Sequence, residues 1–159
     1  MDEPHQNGLR AFDTLQRYLG DKGWSFERIK DDYALRSETE GELCPLTYYF
    51  QIKLELEQFL FYIVPKITLL KDMLHPAAEY ICRANFGLRI GDFELDYRDG
   101  QVQFKSSINF KGVELDKILI DNTIAPALTA FEEFFPGLAN VIAGLETPAK
   151  AIRKAEYGT

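Results

Sequence analysis

The sequence has 159 residues, of which 46% are hydrophobic, 13% aromatic and 27% charged. This length and composition are typical of one globular domain with its own core, and they argue against extended disorder. Lys and Arg number 18 and Asp and Glu number 25, so the formal charge is 18 − 25 = −7. Because that charge repels phosphate backbones, we expect no nucleic-acid partner, although Lys150, Arg153 and Lys154 form a small basic segment.

The two cysteines, Cys44 and Cys82, have no metal-ligand spacing and predict neither a disulfide framework nor a zinc site. We therefore expect a reducing, cytoplasmic location. The N-terminal residues MDEPHQNG contain no apolar run of the kind that a signal peptide needs. The longest apolar run, Phe59 to Val64, is far shorter than the roughly 20 residues of a membrane span, so no membrane association is predicted.

The first element predicted along the chain is a helix from Leu9 to Leu19, where apolar residues recur at intervals of three and four. Gly20 is expected to end it in the left-handed conformation. Short strands are predicted for Trp24–Ile29 and Tyr33–Ser37, followed by a polar loop, SETEGELCP, that ends at Pro45.

A hairpin is predicted for the segment TYYFQIKLELEQFLFYIVP, residues 47–65, which alternates apolar and polar side chains. A tight turn at Leu56 and Glu57 gives one apolar face, in which the opposed residues are Leu54 and Phe59, Ile52 and Phe61, and Phe50 and Ile63. The other face then carries an excess of apolar groups: Tyr49, Leu60, Tyr62 and Val64. Two explanations remain open, a second copy or partner segment that covers them, or another helix of the same chain.

Pro76 to Phe86 is predicted as a second helix with Gly87 as its stop, and Ile81, Ala84 and Ala77 or Ala78 facing inward. Next, Asp99-Gly100 between alternating stretches predicts a hairpin with a two-residue turn. Its expected pairs are Arg98 with Gln101, Tyr97 with Val102, Asp96 with Gln103, Leu95 with Phe104, and Phe93 with Ser106. Glu94 and Lys105 should form a charge pair on its solvated face.

A long amphipathic helix is predicted from about Leu115 to Ile142. Its inward stripe is Ile120, Ile124, Leu128, Phe131, Phe135, Leu138 and Ile142. Pro126 and Pro136 predict a kink or a break. The sequence thus indicates a single domain over residues 1–159, with an ordered core of about 8–144 and a tail at 145–159. Its fold class is α+β, an antiparallel sheet of about five strands with helices packed on it, in the order α-β-β-β-α-β-β-α.

Reactive groups were weighed against plainer roles, and no catalytic, cofactor or metal site is predicted. Asp92, Glu94 and Asp96 form a carboxylate stripe that is best explained as a charged outer face. Glu132 and Glu133 are adjacent on a helix and cannot both face one site. His75 and His5 have no activated nucleophile beside them, and Cys82 is predicted to be a small buried hydrophobe. Nucleotide-binding and hydrolase motifs are missing from the sequence.

The segment RANFGLRIGDFELDYRDGQVQF, residues 83–104, resembles the signature of the YbjN family. In that signature a helix ends in Asn-aromatic-Gly and leads into a Gly-x-Phe-Glu strand and an Asp-Gly hairpin. The resemblance implies a fold like the type III secretion chaperones, a dimeric state and a role as a sensory transduction regulator, with no catalytic residues. The sequence departs from the family pattern between Lys66 and His75 and at Pro126.

Two functions follow as hypotheses. The first is a non-enzymatic protein-interaction module, a chaperone-like adaptor or regulator that acts as a homodimer and binds an unidentified protein partner through Tyr49, Leu60, Tyr62 and Val64. The alternative is a small-molecule-binding regulatory domain, with a pocket between the sheet and the kinked C-terminal helix near Pro126. An enzyme is not expected, because no coupled acid, base and nucleophile can be found at readable spacing.

Overall fold

The computed structural model describes residues 5–159. Helix α1 (Gln6–Asp21) is longer than predicted at both ends. At its C-terminal end, Gly20 lies inside the helix and does not end it. The chain leaves the helix through Gly23, whose φ is 76°. The N–H of Trp24 donates to the Leu19 carbonyl at 3.0 Å, and the N–H of Gly23 donates to the Gly20 carbonyl at 3.1 Å. This pair of bonds is a Schellman motif, which places the left-handed residue three positions later than expected.

Six antiparallel strands form one sheet in the order β1-β2-β3-β4-β6-β5. The strands are β1 (Glu27–Arg28), β2 (Ala34–Thr39), β3 (Leu46–Lys53), β4 (Gln58–Pro65), β5 (Asp92–Asp96) and β6 (Gln101–Asn109). The α+β class with an antiparallel sheet is therefore confirmed, with six strands in place of about five. Strand β1 lies within the short strand predicted for Trp24–Ile29, but it is only two residues long and forms one edge of the sheet.

Both predicted hairpins form, but each has a four-residue loop where a two-residue turn was expected. The first loop separates Lys53 from its partner Gln58, and the second separates Asp96 from its partner Gln101. Each loop ends in a left-handed residue, Glu57 with φ 52° and Gly100 with φ 73°. Loops of four residues are commonly built around a type I turn, which alternation of the flanking strands does not distinguish from a tighter turn.

The longer loops shift the register of both hairpins by two residues from the prediction. Phe59 lies opposite Ile52, and Phe104 lies opposite Phe93. Because side chains alternate with a period of two, a two-residue shift leaves each of them on its predicted face. The inward-facing set is therefore as expected within the strands, although none of the predicted pairs lies directly opposed.

Three further helices follow β4. A 3-10 turn (Lys71–Met73) leads into α2 (Leu74–Gly87), which begins two residues before Pro76. Helix α3 (Lys117–Ile142) begins after Asp116, whose carboxylate accepts the N–H of Leu119 at 2.8 Å. It contains Pro126 and Pro136 and is not broken at either. Of the predicted kink or break, the break is therefore wrong, because α3 continues through both prolines.

Residues 145–159 were assigned to a tail, but they contain a fourth helix, α4 (Pro148–Tyr157). Thr147 caps it by accepting the N–H of Lys150 at 3.3 Å. Ala151 and Ile152 are buried, and α4 packs against α2 and α3. Only two apolar positions of this short helix are needed for docking, which is too few to stand out in the sequence.

The core lies between the helices and one face of the sheet. Phe131 of α3 packs against Phe93 and Phe104, with ring centroids 6.0 and 6.4 Å apart. Five of the seven residues predicted for the inward stripe of α3 are buried, while Leu128 and Ile142 are half-buried. On α2 the buried residues are Ala77, Tyr80, Ile81 and Ala84. The result is two layers, helices on one side and a sheet on the other.

Candidate functional site

The candidate functional site is the face of the sheet that points away from the helices, here called the open face. In β3, β4, β5 and β6, every fully buried residue points toward the helices. Strand β4 shows this most clearly, because buried and half-buried residues alternate along all eight positions. Within residues 5–159, no helix lies against the open face of these four strands, so its side chains remain partly exposed.

The four predicted interface residues all lie on the open face. Tyr49 and Tyr62 are direct cross-strand partners, and Leu60 lies opposite Gln51 on one side and Ser107 on the other. Val64 lies opposite Thr47. Each of the four is half-buried by its neighbours in the sheet. The described part of the chain therefore contains no helix that covers this side of the sheet.

Several charged groups on the open face form ion pairs with one another. Arg36 forms ion pairs with Glu27, at 3.0 Å, and with Glu38. Glu94 accepts from Lys105 and, at 2.6 Å, from Gln103. The predicted Glu94–Lys105 pair is thus present, although it is diagonal, because Lys105 lies directly opposite Asp92. The hydrogen bond to Glu94 raises the pKa of Lys105, and partial burial raises the pKa of Tyr62.

The two histidines and the two cysteines do not form a common site in the structure. His75 is exposed at the start of α2, and the imidazole of His5 lies 3.9 Å from the Glu55 carboxylate. Cys82 is exposed, so the prediction that it is buried was wrong, because it lies on the outer side of α2. Cys44 is half-buried, and its burial raises the pKa of the thiol. Across residues 5–159, no three His, Cys, Asp or Glu side chains cluster as metal ligands.

The carboxylate stripe is spread along the edge of the sheet. Asp96 is held by Arg98 at 2.6 Å and Glu94 by Lys105, while Asp92 is exposed. Partial desolvation by neighbouring residues, followed by the nearby charge of Glu94, raises the pKa of Asp92. The stripe therefore behaves as a charged outer face with its own counterions. Glu132 and Glu133 are both exposed on α3.

The basic segment near the C-terminus lies on α4. Lys154 forms an ion pair with Glu146 at 2.6 Å. Nearby lysines, Lys154 first and Lys150 among the smaller contributions, lower the pKa of Glu146. This pairing removes part of the positive charge that made the segment the best local basic patch.

A cavity of about 420 Å³ lies on the helical side of the sheet. It is formed by the loop between β2 and β3, the start of β3 and the second half of α3. Its lining residues are Thr39, Gly41, Glu42, Leu43, Cys44, Leu46, Tyr48, Leu128, Phe131, Glu132, Phe135 and Pro136. The sequence placed a pocket near Pro126, whereas the cavity lies about half a turn to three turns further along the helix, at Leu128 to Pro136. Cys44, which the sequence analysis left without a role, lines it.

The segment that carries the family resemblance has structural roles. The side-chain amide of Asn85 forms two hydrogen bonds with the main chain of Phe93. Gly91 has a φ of 74°, and a Cβ there would lie 2.5 Å from the ring of Phe104. Both requirements exclude other residues at this position without a shift of the strand. The motif therefore fixes how α2 joins β5, and it brings no reactive group together.

These observations define a class of protein: a helix-backed antiparallel sheet with one open, partly apolar face. None of the helices in the described residues is long and apolar enough to cross a membrane. The model of the YbjN family, described as "Putative bacterial sensory transduction regulator", matches residues 11–140. The chain belongs to the YbjN family.

A solved structure shares this fold, the "Crystal structure of YbjN, a putative transcription regulator from E. coli". It is 14% identical in sequence, with a TM-score of 0.59 over 83% of this chain and 89% of that chain. At this level of identity, the similarity speaks for the fold alone. A search of curated proteins gave no match.

Proposed function

We propose that this protein is a non-enzymatic protein-interaction module, a chaperone-like adaptor or regulator that acts as a homodimer through the open face. One observation carries the proposal: Tyr49, Leu60, Tyr62 and Val64 form an apolar band on a sheet face that no described helix covers. The family description as a regulator supports a role in binding rather than in catalysis.

Energetics favour covering this band. Full burial of a Leu, Val or aromatic side chain contributes roughly 1.5 to 3 kcal/mol, and these four side chains still expose part of their apolar surface. Tyrosines are also enriched among the residues that dominate interface energy. The paired charges at Arg36 and Lys105 flank the band, and such polar rims contribute specificity more than affinity.

The mass of the protein in solution tests the homodimer. We expect the wild type to have twice the chain mass by light scattering, and Leu60→Asp and Tyr62→Glu to have the single-chain mass while remaining folded. Ile118→Asp is the matched control, because Ile118 is an apolar residue 69% exposed on α3. A monomeric wild type, or folded open-face variants that keep the dimer mass, would refute the homodimer.

A protein partner is tested separately. The tagged chain is purified from its own cells, and co-purifying proteins are identified by mass spectrometry for wild type, Leu60→Asp and Ile118→Asp. The proposal predicts a protein that is retained by wild type and Ile118→Asp and lost with Leu60→Asp. Retention by all three variants contradicts a role of the open face.

The unpaired, exposed thiol of Cys82 supports a reducing cytoplasm as the place of action.

The second candidate is a small-molecule-binding regulatory domain, and the cavity between the sheet and α3 is the observation that favours it. Its volume of about 420 Å³ lies within the range of ligand pockets, and its walls combine apolar side chains with polar groups. A ligand that binds only the native state raises the melting temperature, so a thermal-shift screen of metabolites tests this function. No stabilising compound in a broad screen would count against it.

A further inference from the structure

One part of the cavity wall between the sheet and α3 is formed by apolar and aromatic side chains. Phe131 and Phe135 are stacked on α3, with ring centroids 4.6 Å apart and planes 15° apart. Leu128 of α3 and Leu46 of β3 are half-buried, and both line the cavity. A site of this size and lining suits a short hydrocarbon or single-ring body.

The polar groups at the cavity share one character, because they accept hydrogen bonds or carry negative charge. Glu132 and Glu42 line it, and no Lys, Arg or His is among the described lining residues. Pro136 has no N–H, so the carbonyl of Glu132 lacks the donor that a helix normally supplies four residues later. Glu132 therefore brings a carboxylate to the cavity, and its main-chain carbonyl lacks its usual helical donor.

Tyr48 reports the electrostatics of the site. Its side chain lines the cavity from β3, half-buried. Burial raises the pKa of its hydroxyl, and the charge of Glu132 raises the pKa further. The electrostatic influence of Glu132 thus reaches Tyr48, whose ring face is also able to attract a cation.

From this arrangement we infer that the cavity binds a small organic cation, a protonated amine on an apolar body. The body packs between the aromatic wall and Leu46, while the ammonium group donates to the carboxylate and the carbonyl of Glu132. This inference rests on the second candidate function and names its ligand class. The cavity lies on the helical side of the sheet, so the inference is independent of contacts made by the open face.

A matched set of three probes tests the charge requirement: hexylammonium, hexanoate and hexanol, each titrated into ¹⁵N-labelled full-length protein. We expect hexylammonium to shift the amide resonances of Cys44, Tyr48 and Glu132, with much weaker effects from the other two. Glu132→Gln should weaken hexylammonium binding about three- to tenfold, the loss of one exposed charge-assisted hydrogen bond. Glu133→Gln, which removes the neighbouring carboxylate outside the cavity, should leave the affinity unchanged.

Each other result overturns the inference. If hexanol and hexanoate shift the same resonances with equal affinity, the cavity binds ligands but not cations as a class, and the second candidate function survives. Equal losses in Glu132→Gln and Glu133→Gln mean that general negative charge attracts the amine. If no probe shifts the resonances of the cavity residues at 10 mM, the binding free energy is weaker than roughly 3 kcal/mol. Both the ligand class and the pocket then fail.

Discussion

The side-chain amide of Asn85 pairs with the main chain of Phe93 as a neighbouring strand would. Its Nδ2 donates to the Phe93 carbonyl at 2.9 Å, and the Phe93 N–H donates to its Oδ1 at 2.9 Å. Phe93 lies in β5, an edge strand of the sheet. A residue of α2 thus occupies hydrogen-bonding groups that an edge strand otherwise leaves open for pairing with another chain.

Replacing Asn85 with Ala removes both hydrogen bonds and leaves the Phe93 main-chain groups unpaired. We expect a loss of about 1–3 kcal/mol in the free energy of unfolding, since each net hydrogen bond contributes about 0.5–1.5 kcal/mol. Urea denaturation measures the loss, and hydrogen exchange should show faster exchange of the Phe93 amide. Asn122→Ala, at an exposed position of α3, is the control and should change stability by less than about 0.5 kcal/mol. Equal effects of the two substitutions would contradict the pairing.

Close contact between α2 and α3 requires a glycine at position 137. The hydroxyl of buried Tyr80 donates to the Phe134 carbonyl at 2.6 Å, and a Cβ on Gly137 would lie 2.4 Å from that hydroxyl. Gly137→Ala should therefore destabilise the protein by about 1–3 kcal/mol through overpacking. A Cβ on Gly20 would have no neighbouring atom within 4 Å, so Gly20→Ala should stabilise α1 by up to about 1 kcal/mol. Thermal or urea unfolding of the two variants should thus give opposite signs.

The buried hydroxyl of Ser106, in β6, lowers the free energy of unfolding. Ser106 is 2% exposed, and no group in the described residues accepts from or donates to its Oγ. Because an unpaired buried hydroxyl costs free energy, Ser106→Ala should increase stability by about 1 kcal/mol. The adjacent Ser107→Ala, at an exposed position, should have little effect. A destabilising Ser106→Ala, measured by urea denaturation, would mean that the hydroxyl is in fact paired.

Stability at low pH should depend on the Asp96 carboxylate. Hydrogen bonds from the Arg98 guanidinium, and then from its main-chain N–H, lower the pKa of Asp96 to about 2. An unfolded Asp has a pKa of about 3.9. The folded state therefore binds fewer protons between these values, so this contribution is fully present above about pH 4 and is lost as the pH falls through about 2.

Carboxyl NMR titration of Asp96 measures the shift directly. We expect a titration midpoint near 2 in the wild type and a clearly higher one in Arg98→Ala, which keeps the main-chain N–H but lacks the guanidinium. Asp96→Asn should remove this part of the pH dependence of unfolding. An unchanged midpoint in Arg98→Ala would assign the shift to another cause.

Residues 54–57 and 97–100 show what alternation can and cannot predict. The alternating patterns assigned the inward faces of the strands correctly, because a side-chain period of two survives a shift of two residues. The pairing itself depends on loop length, and Glu57 illustrates why. Its carboxylate accepts from Asn7 at 3.1 Å and from the Gly112 N–H at 2.7 Å, contacts with residues 50 and 55 positions away along the chain. Those bonds lower the pKa of Glu57, and no local pattern signals them.

The amino-acid sequence by itself determined the class of fold, most of the inward stripe of α3 and the membership in the YbjN family, because each rests on local periodicity or on a contiguous motif. Only the tertiary structure decided the register of the hairpins, the exposure of Cys82, the docking of α4 and the position of the cavity beside Pro136. These depend on contacts between distant segments, and the free energy of such contacts is not encoded in the spacing of neighbours along the chain. The open face lies between the two cases: the sequence named its residues, and the placement of the helices left them uncovered.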